Sequence, residues 1–379
     1  MMQPRTSRPG LRAAFSLVEI LVAMAITSLL LVLMAQMLSS TQLVWKNTRS
    51  SVGSFREARN AFETISRRVS QATLNAYWGY NDPAAPTFYQ RQSELHFVSG
   101  PAQVLLPLQP LSPGHALFFQ APLGIAESAD VQRLEDTLNT IGYWVAFGSD
   151  LDQRPAWLRE DTVTHPERRR FRLMEFRPPT EQLDLYRMVD DPAATGKKKP
   201  WIEVQTTKGT LYQWFNNFLI AHSHPIADHI FAIFIEPLNP VPVLPASGTA
   251  PPPSASLAPD YHYDSRRHQW AVDARANVSR HQMPPRLQLT LLALDEDTWL
   301  PLTQEQATQH AEALTKLMQE KIFQGLKGAP TEEKLREQTK ADLQLLDTEL
   351  RKIGLRSRTF TAVVNIRAAK WITSQEAAP

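Results

Sequence analysis

From Phe15 to Leu38 the chain runs for 24 residues with a single charged side chain, Glu19. As an α-helix this stretch is roughly 36 Å long, enough to cross a hydrocarbon core of about 30 Å with some tilt. It is the strongest constraint on the fold, because an apolar helix of that length needs lipid or a protein interior around it. Arg5, Arg8 and Arg12 precede it, and no basic residue follows as far as Leu38. That asymmetry predicts a cytoplasmic N-terminus and a chain that continues on the far side of the membrane.

Those three arginines also set the charge of the whole chain. The formal net charge is +2, and without them acids outnumber bases by one. A near-neutral remainder gives little support to nucleic-acid binding, which depends on concentrated positive charge. The chain has no cysteine, so disulfides, thiolate metal sites and thiol catalysis are excluded. With 29 prolines against 14 glycines, irregular connections are expected outside the helices.

Three readings of the apolar segment compete. A cleaved secretory signal would use the small-x-small run Ala23-Met24-Ala25, but it would leave the apolar "ITSLLLVLMAQML" as the new N-terminus. A plain membrane anchor leaves Glu19 incidental, although a charge inside a membrane helix costs several kcal/mol. The third reading explains the acid. The residues "AAFSLVEILVAMAI" resemble the type IV prepilin signature: a short basic leader, a small residue, then Phe-Ser-Leu-Val-Glu from Phe15 to Glu19 and an apolar helix. The resemblance implies cleavage between Ala14 and Phe15 by prepilin peptidase on the cytoplasmic side, followed by N-methylation of Phe15. The chain departs from the pattern at Ala14, where Gly is usual, and lacks the proline that many major pilins carry in the helix. The positive α-amine freed at Phe15 could pair with Glu19 of a neighbouring subunit, which offsets the burial of both charges.

Residues 39–75 are expected to continue the helix in amphipathic form. Val52, Phe55, Phe62, Ile65, Val69 and Ala72 recur at three- and four-residue spacing, with Arg56, Glu57, Arg59, Glu63, Arg67 and Arg68 on other faces. Gly53 is a weak point within it. Residues 76–379 form the expected head. "ELHFVSG", "HALFFQA", "GYWVAFG", "RFRLMEF", "HIFAIFIEPLNP", "RLQLTLLALD" and "SRTFTAVVNIRAAKW" read as strands. "LYQWFNNFLI" reads as a short buried helix, residues 188–200 as an exposed loop, and the Pro-rich stretch 237–260 as a mobile surface loop. Residues 303–354 read as a helical hairpin inserted between two strands, with Thr331 opening its second helix and Gly354 closing it. The expected class is α+β: a long N-terminal helix, spanning the membrane in its first half, packed on an antiparallel sheet. The C-terminal portion resembles the larger minor pseudopilins of the PulJ/PilW type. The blocks "HALFFQAPLG", "LNTIGYWVAFGSD", "RRRFRLMEF", "APDYHYDSR" and "RAAKW" look still more like the Verru_Chthon cassette protein C family.

Candidate chemistry is sparse. His222, His224 and His229 lie in "HSHPIADH" with Asp228, and a His-x-His pair can bind zinc, although a solvated turn accounts for the cluster better. "DYHYDSRRH", Asp260 to His268, could hold a carbohydrate or simply stabilise a loop. Arg168-Arg169-Arg170 and Lys197-Lys198-Lys199 read as solvated runs, since no aromatics interleave with them. Asp295, Glu296 and Asp297 are consecutive and make a poor acid/base pair. No P-loop, dinucleotide fingerprint or nucleophile elbow is present. The expectation is therefore a non-enzymatic pseudopilin subunit without cofactor or metal, processed and methylated at its N-terminus. It would sit in the inner membrane with a periplasmic head, partnered by other pilin-like subunits in a type II secretion or type IV pilus-like machine. The alternative is a membrane-anchored protein that does not assemble and captures DNA or polysaccharide.

Overall fold

The computed structural model describes residues 17–371 apart from 81–84, 88, 133, 135, 162, 187, 191–197, 201–202, 207–208, 241–254, 267–279 and 329. The chain divides into two compact units, Met1–Val52 and Gly53–Pro379. Its class is α+β, with an N-terminal apolar helix and antiparallel sheets. The helix α1 (Leu17–Val69) starts in the first unit and runs unbroken through Gly53. It ends at Val69, earlier than the expected Asn75, because the chain there turns into a bridge between Thr73 and Gln120.

In the second unit α1 presents Ala58, Ala61, Phe62, Ile65 and Val69 to the core. Burying a side chain such as Phe62 or Ile65 stabilises by about 1.5–3 kcal/mol. Phe62 lies 6.4 Å, ring to ring, from Phe360. Two polar contacts supplement the stripe. Glu57 accepts from the Asp228 backbone N–H at 3.0 Å, and Arg68 pairs with buried Glu175. Arg68 is thus not on a solvated face, as its polarity suggested.

The strands of the head are β1 (Val98–Pro101), β2 (His115–Pro122), β3 (Leu138–Ser149), β4 (Arg169–Phe176), β5 (Ser223–Asp228), β6 (Ile230–Leu238), β7 (Tyr263–Asp264), β8 (Arg286–Leu294) and β9 (Ser357–Asn365). A six-stranded sheet has the order β5-β4-β3-β2-β1-β7, and a three-stranded one the order β6-β8-β9. All these pairings are antiparallel. The larger sheet is covered on both faces, so its central strands read as continuous apolar runs rather than alternating ones. Leu117, Phe119, Tyr143, Val145, Phe171 and Leu173 enter the core that holds α1 and the smaller sheet. Their neighbours Phe118, Trp144, Met174 and Phe176 point the other way, into a second core with Trp214 and Phe215. Phe118 crosses directly over Gly142 on the neighbouring strand: a Cβ there would stand 2.2 Å from the Phe118 ring.

Two helices lie in the chain between the paired strands β8 and β9: α2 (Gln304–Glu320) and α3 (Glu332–Lys352). Thr303 and Gln306 form a capping box on α2. Thr331 caps α3 by accepting from the Lys334 N–H, and Gly354 follows its C-cap at φ +79°, which a side chain would disfavour. Both helices send residues into the main core, among them Ala311 and Leu314 from α2 and Leu346 and Leu350 from α3.

Three expectations need correction. Within 188–200, Met188–Asp190 and Lys198–Pro200 pair as short antiparallel strands. In 237–260 the expected mobile loop lies mostly outside the described residues, but its end is packed: Ser256, Leu257 and Ala258 are buried, and the Ser256 N–H donates to the Pro330 carbonyl at 2.8 Å. Small side chains fit closely against the start of α3 there. The helix expected across "LYQWFNNFLI" is only Gln213–Asn216, which buries Trp214 and Phe215.

Candidate functional site

In the first unit, Leu17–Ser39 is a 23-residue helical span of mean hydropathy 2.6, and none of it is buried. It is compatible with a membrane anchor or a signal sequence. Leucine, isoleucine, valine and methionine side chains are exposed all around it. Its hydroxyls are satisfied locally: Thr27 donates to the Ala23 carbonyl at 2.7 Å, Ser28 to Met24 at 2.8 Å and Ser39 to Ala35 at 2.8 Å. Such back-bonding removes the cost of carrying a hydroxyl into lipid. Glu19 therefore stands apart as the one ionisable side chain of the span. It shares a surface hollow with Ile20, Ala23, Met24, Thr27 and Ser28, of which Ala23, Thr27 and Ser28 are small. Small residues are what allow two membrane helices to approach closely. Ala14 and Phe15, the expected cleavage and methylation positions, lie outside the described residues.

The head does not bring the three histidines of "HSHPIADH" into a ligand set. His222 lies in a turn, and His224 sits exposed on β5 opposite Glu175. His229 is buried at φ +58°, and its Nε2 is 4.0 Å from the nearest Glu296 oxygen. Burial, then the neighbouring Arg170, pulls the His229 imidazole down to about 4. Among the described residues no group of three or more His, Cys, Asp or Glu side chains is placed to hold a metal ion.

Of the arginine run, Arg168 and Arg169 stay exposed, as a solvated run would, and Arg170 is turned into an ion-pair network. Arg170 donates to Asp228 at 2.6 Å, Arg172 lies 3.4 Å from the same carboxylate, and Arg169 pairs with Glu167 at 3.3 Å. Strand alternation splits the run between faces, so it makes no continuous basic surface. Asp295 is an N-cap, accepting from the Asp297 N–H, and pairs with Arg356 at 3.2 Å. The three consecutive acids thus serve the start of a helical turn. Of the lysine run, Lys198 and Lys199 fall in the short strand Lys198–Pro200, and Lys197 lies outside the described residues.

The buried polar centre of the head was only half visible in the sequence. Asp264, from "DYHYDSRRH", meets His96 at 2.7 Å across 168 residues of chain. The Trp214 indole N–H donates to His96 Nδ1 at 3.1 Å. An indole can only donate, so Nδ1 is unprotonated and it is Nε2–H that donates to Asp264. Tyr212 donates to the other carboxylate oxygen at 2.8 Å, and the Arg266 backbone N–H adds a third donor at 2.9 Å. Burial alone would push the Asp264 carboxyl up, but these contacts, led by His96, hold it well below the usual carboxylate range. The pair resembles a catalytic base and its orienting acid. Both side chains are 0% exposed, however, and both ring nitrogens are engaged within the protein. The arrangement pins β7 and the Gln213–Asn216 turn to β1; it does not present a base to a substrate. No signal in "ELHFVSG" or "LYQWF" could have revealed it, because the partners come together only in the folded sheet. Arg267 and His268 lie outside the described residues. Compared with known proteins, the chain matches no family model, no curated protein and no solved structure.

Proposed function

We propose that this chain is a minor pilin-like (pseudopilin) subunit that works by assembly rather than by catalysis. The observation that carries the reading is Glu19: the one ionisable group of a fully exposed 23-residue apolar helix, placed directly after the Phe15-Ser16-Leu17-Val18 run. In lipid alone that carboxylate is a cost of several kcal/mol. In a bundle of subunits it has a use, because the α-amine of a neighbour's processed Phe15 brings a positive charge to the same depth. A mispaired register leaves both charges buried alone, so the pair selects the register of assembly. The hollow beside Glu19, floored by Ala23, Thr27 and Ser28, suits close approach of a second helix.

On this reading prepilin peptidase removes residues 1–14 and Phe15 is methylated. The chain is inner-membrane, single-pass and N-terminus-inside, with its head in the periplasm, and it is drawn into a short filament of a type II secretion or type IV pilus-like machine. The helices α2 and α3 then form an inserted hairpin that decorates the head.

The mass of the mature chain from native membranes tests the processing step. The expected result is a start at methylated Phe15; retention of residues 1–14, or a start near Ile26, would overturn the reading. Ala14→Leu should block cleavage, since a small side chain must fit at the cut, and Ala14→Gly should not slow it. Glu19→Val should insert and be cleaved normally, yet lose methylation, incorporation into filaments, or both. A Glu19→Val chain that crosslinks to partner subunits like wild type would leave the carboxylate without a role in assembly.

A further inference from the structure

Immediately after α1, Tyr77–Tyr80 and Tyr89–Gln92 pair as an antiparallel hairpin. Its register sets Trp78 opposite Arg91 and Tyr80 opposite Tyr89, so all four side chains share one face. The Arg91 guanidinium lies 5.2 Å from the centre of the Trp78 ring. The two tyrosines stack at 4.4 Å and their hydroxyls are 2.8 Å apart. Trp78 is nevertheless 55% exposed, and Tyr80 and Tyr89 are nearly as open. Adjacent rings held in fixed positions at a surface are a recognition feature, because little side-chain entropy is left to lose on binding.

Beside the hairpin lies a cleft of about 320 Å³, at the small end of the range of ligand pockets. Trp78 and Arg91 of the hairpin, Thr73 before it, His281 before β8 and Lys370, just beyond β9, line it. Among the described residues that line it, none is acidic. The cleft thus combines an aromatic ring, a hydroxyl, an imidazole and an excess of positive charge.

We propose that this cleft binds a short stretch of acidic polysaccharide, with a uronate ring laid on Trp78 and its carboxylate directed to Arg91 and Lys370. A pyranose ring presents a face of C–H bonds whose hydrogens are positively polarised, which matches the negative face of an indole. Its hydroxyls need both donors and acceptors, which the Thr73 hydroxyl and the His281 imidazole of the lining supply. Its carboxylate makes charge-assisted hydrogen bonds to guanidinium and ammonium groups. The bounded volume suits one or two rings. Single-stranded nucleic acid also offers rings and negative charge, but it calls for a continuous basic track with successive aromatic platforms. Here the basic side chains lining the cleft, Arg91 and Lys370, form no such track among the described residues. The inference needs only the head and stands whether or not the chain assembles.

The test is calorimetric titration of the full chain, in a detergent without a sugar headgroup, with tetragalacturonate, cellotetraose and an eight-residue thymidine oligonucleotide. Tetragalacturonate should bind saturably, with cellotetraose weaker by about tenfold or more. Trp78→Ala and Lys370→Ala should each weaken the uronate by about tenfold or more while the thermal midpoint stays put. Trp78→Tyr keeps a ring and should retain binding, which separates loss of stacking from loss of fold. Absence of saturable tetragalacturonate binding, or binding indifferent to Trp78→Ala, would overturn the proposal. Equal affinity for cellotetraose would remove the acidic specificity. Tighter oligonucleotide binding with the same dependence on Trp78 would make the cleft a nucleic-acid site instead.

Discussion

Residues 17–39 and 53–69 belong to one unbroken helix, yet they solve opposite problems. The first stretch is apolar on nearly every side, and none of it is buried among the described residues. The second is apolar only along the Ala58, Ala61, Phe62, Ile65, Val69 stripe and carries charge elsewhere. Backbone geometry is the same in both, so helix formation does not distinguish them. What differs is the solvent each sequence is written for. A helix apolar all round is made for lipid or for other apolar helices, and a one-sided helix for a protein surface. The polar groups follow the same division. The hydroxyls of the first stretch bond back to their own helix, whereas Glu57 and Arg68 of the second bond outward to β5 and β4.

The most direct way to break this comparison is to truncate one apolar side chain in each stretch. Phe62→Ala should cost the head about 3–5 kcal/mol, read by denaturant unfolding of the full chain in detergent. Leu29→Ala, in the apolar span, should leave that unfolding curve within about 0.5 kcal/mol of wild type. Comparable losses from both would show that the first stretch also buttresses the head.

Next in size is the polar weld. Arg68→Ala strands the Glu175 carboxylate, which is 4% exposed and, among the described residues, keeps Arg177 at 3.4 Å as its cationic partner. A loss of about 3 kcal/mol is expected, and Glu175→Gln in the same chain should recover much of it. If the double variant is no better than Arg68→Ala, the contact matters through packing and not through charge.

Gly142→Ala tests the larger sheet alone. The new methyl meets the Phe118 ring, itself stacked at 3.7 Å on Phe215. Overpacking of this kind costs about 1–3 kcal/mol, and it should be relieved by Phe118→Leu.

The smallest effect concerns pH, and it sharpens the contrast between carboxylates in the two regions. Burial pushes the Glu236 carboxyl of β6 up to about 7. Its folded value lies above its ordinary one, so its contribution to stability is full below about 4.5 and is lost as pH rises through 7. Burial pulls His115 and His229 down to about 4. Their contributions are full above about 6.5 and are lost as pH falls through 4. The two effects oppose each other between pH 7 and 5. Glu236→Gln should therefore steepen the loss of stability on acidification, seen as a larger drop in urea midpoint from pH 7 to pH 5. An unchanged drop would mean that Glu236 does not titrate in this interval.

Much of the head was legible because its strands carry dense apolar runs bounded by Pro, Gly and Asp. "HALFFQA", "GYWVAFG" and "RFRLMEF" fall within β2, β3 and β4, each within a few residues of its observed ends. The helix N-caps at Thr303 and Thr331 were readable for the same local reason, since a cap is made by residues three apart. Less legible was anything that depends on who sits opposite. The burial of Ser256–Ala258 against the start of α3 defeats a compositional reading of "ASGTAPPPSAS", and the fate of Arg68 defeats a reading by polarity. Nor does "YWGYNDPAAP" record a platform by itself, because Trp78 and Tyr80 join Tyr89 and Arg91 on one face only when register aligns the two strands.

By itself the sequence determined the apolar span, the position of Glu19 within it and the apolar run of each main strand, since hydropathy is recorded by near neighbours along the chain. Only the tertiary structure decided that both faces of the larger sheet are covered, that His96 bridges Asp264 and the Trp214 indole, and that Trp78, Arg91 and Lys370 border one cleft. Those facts rest on contacts between residues far apart in the chain, and nothing local to either partner records them.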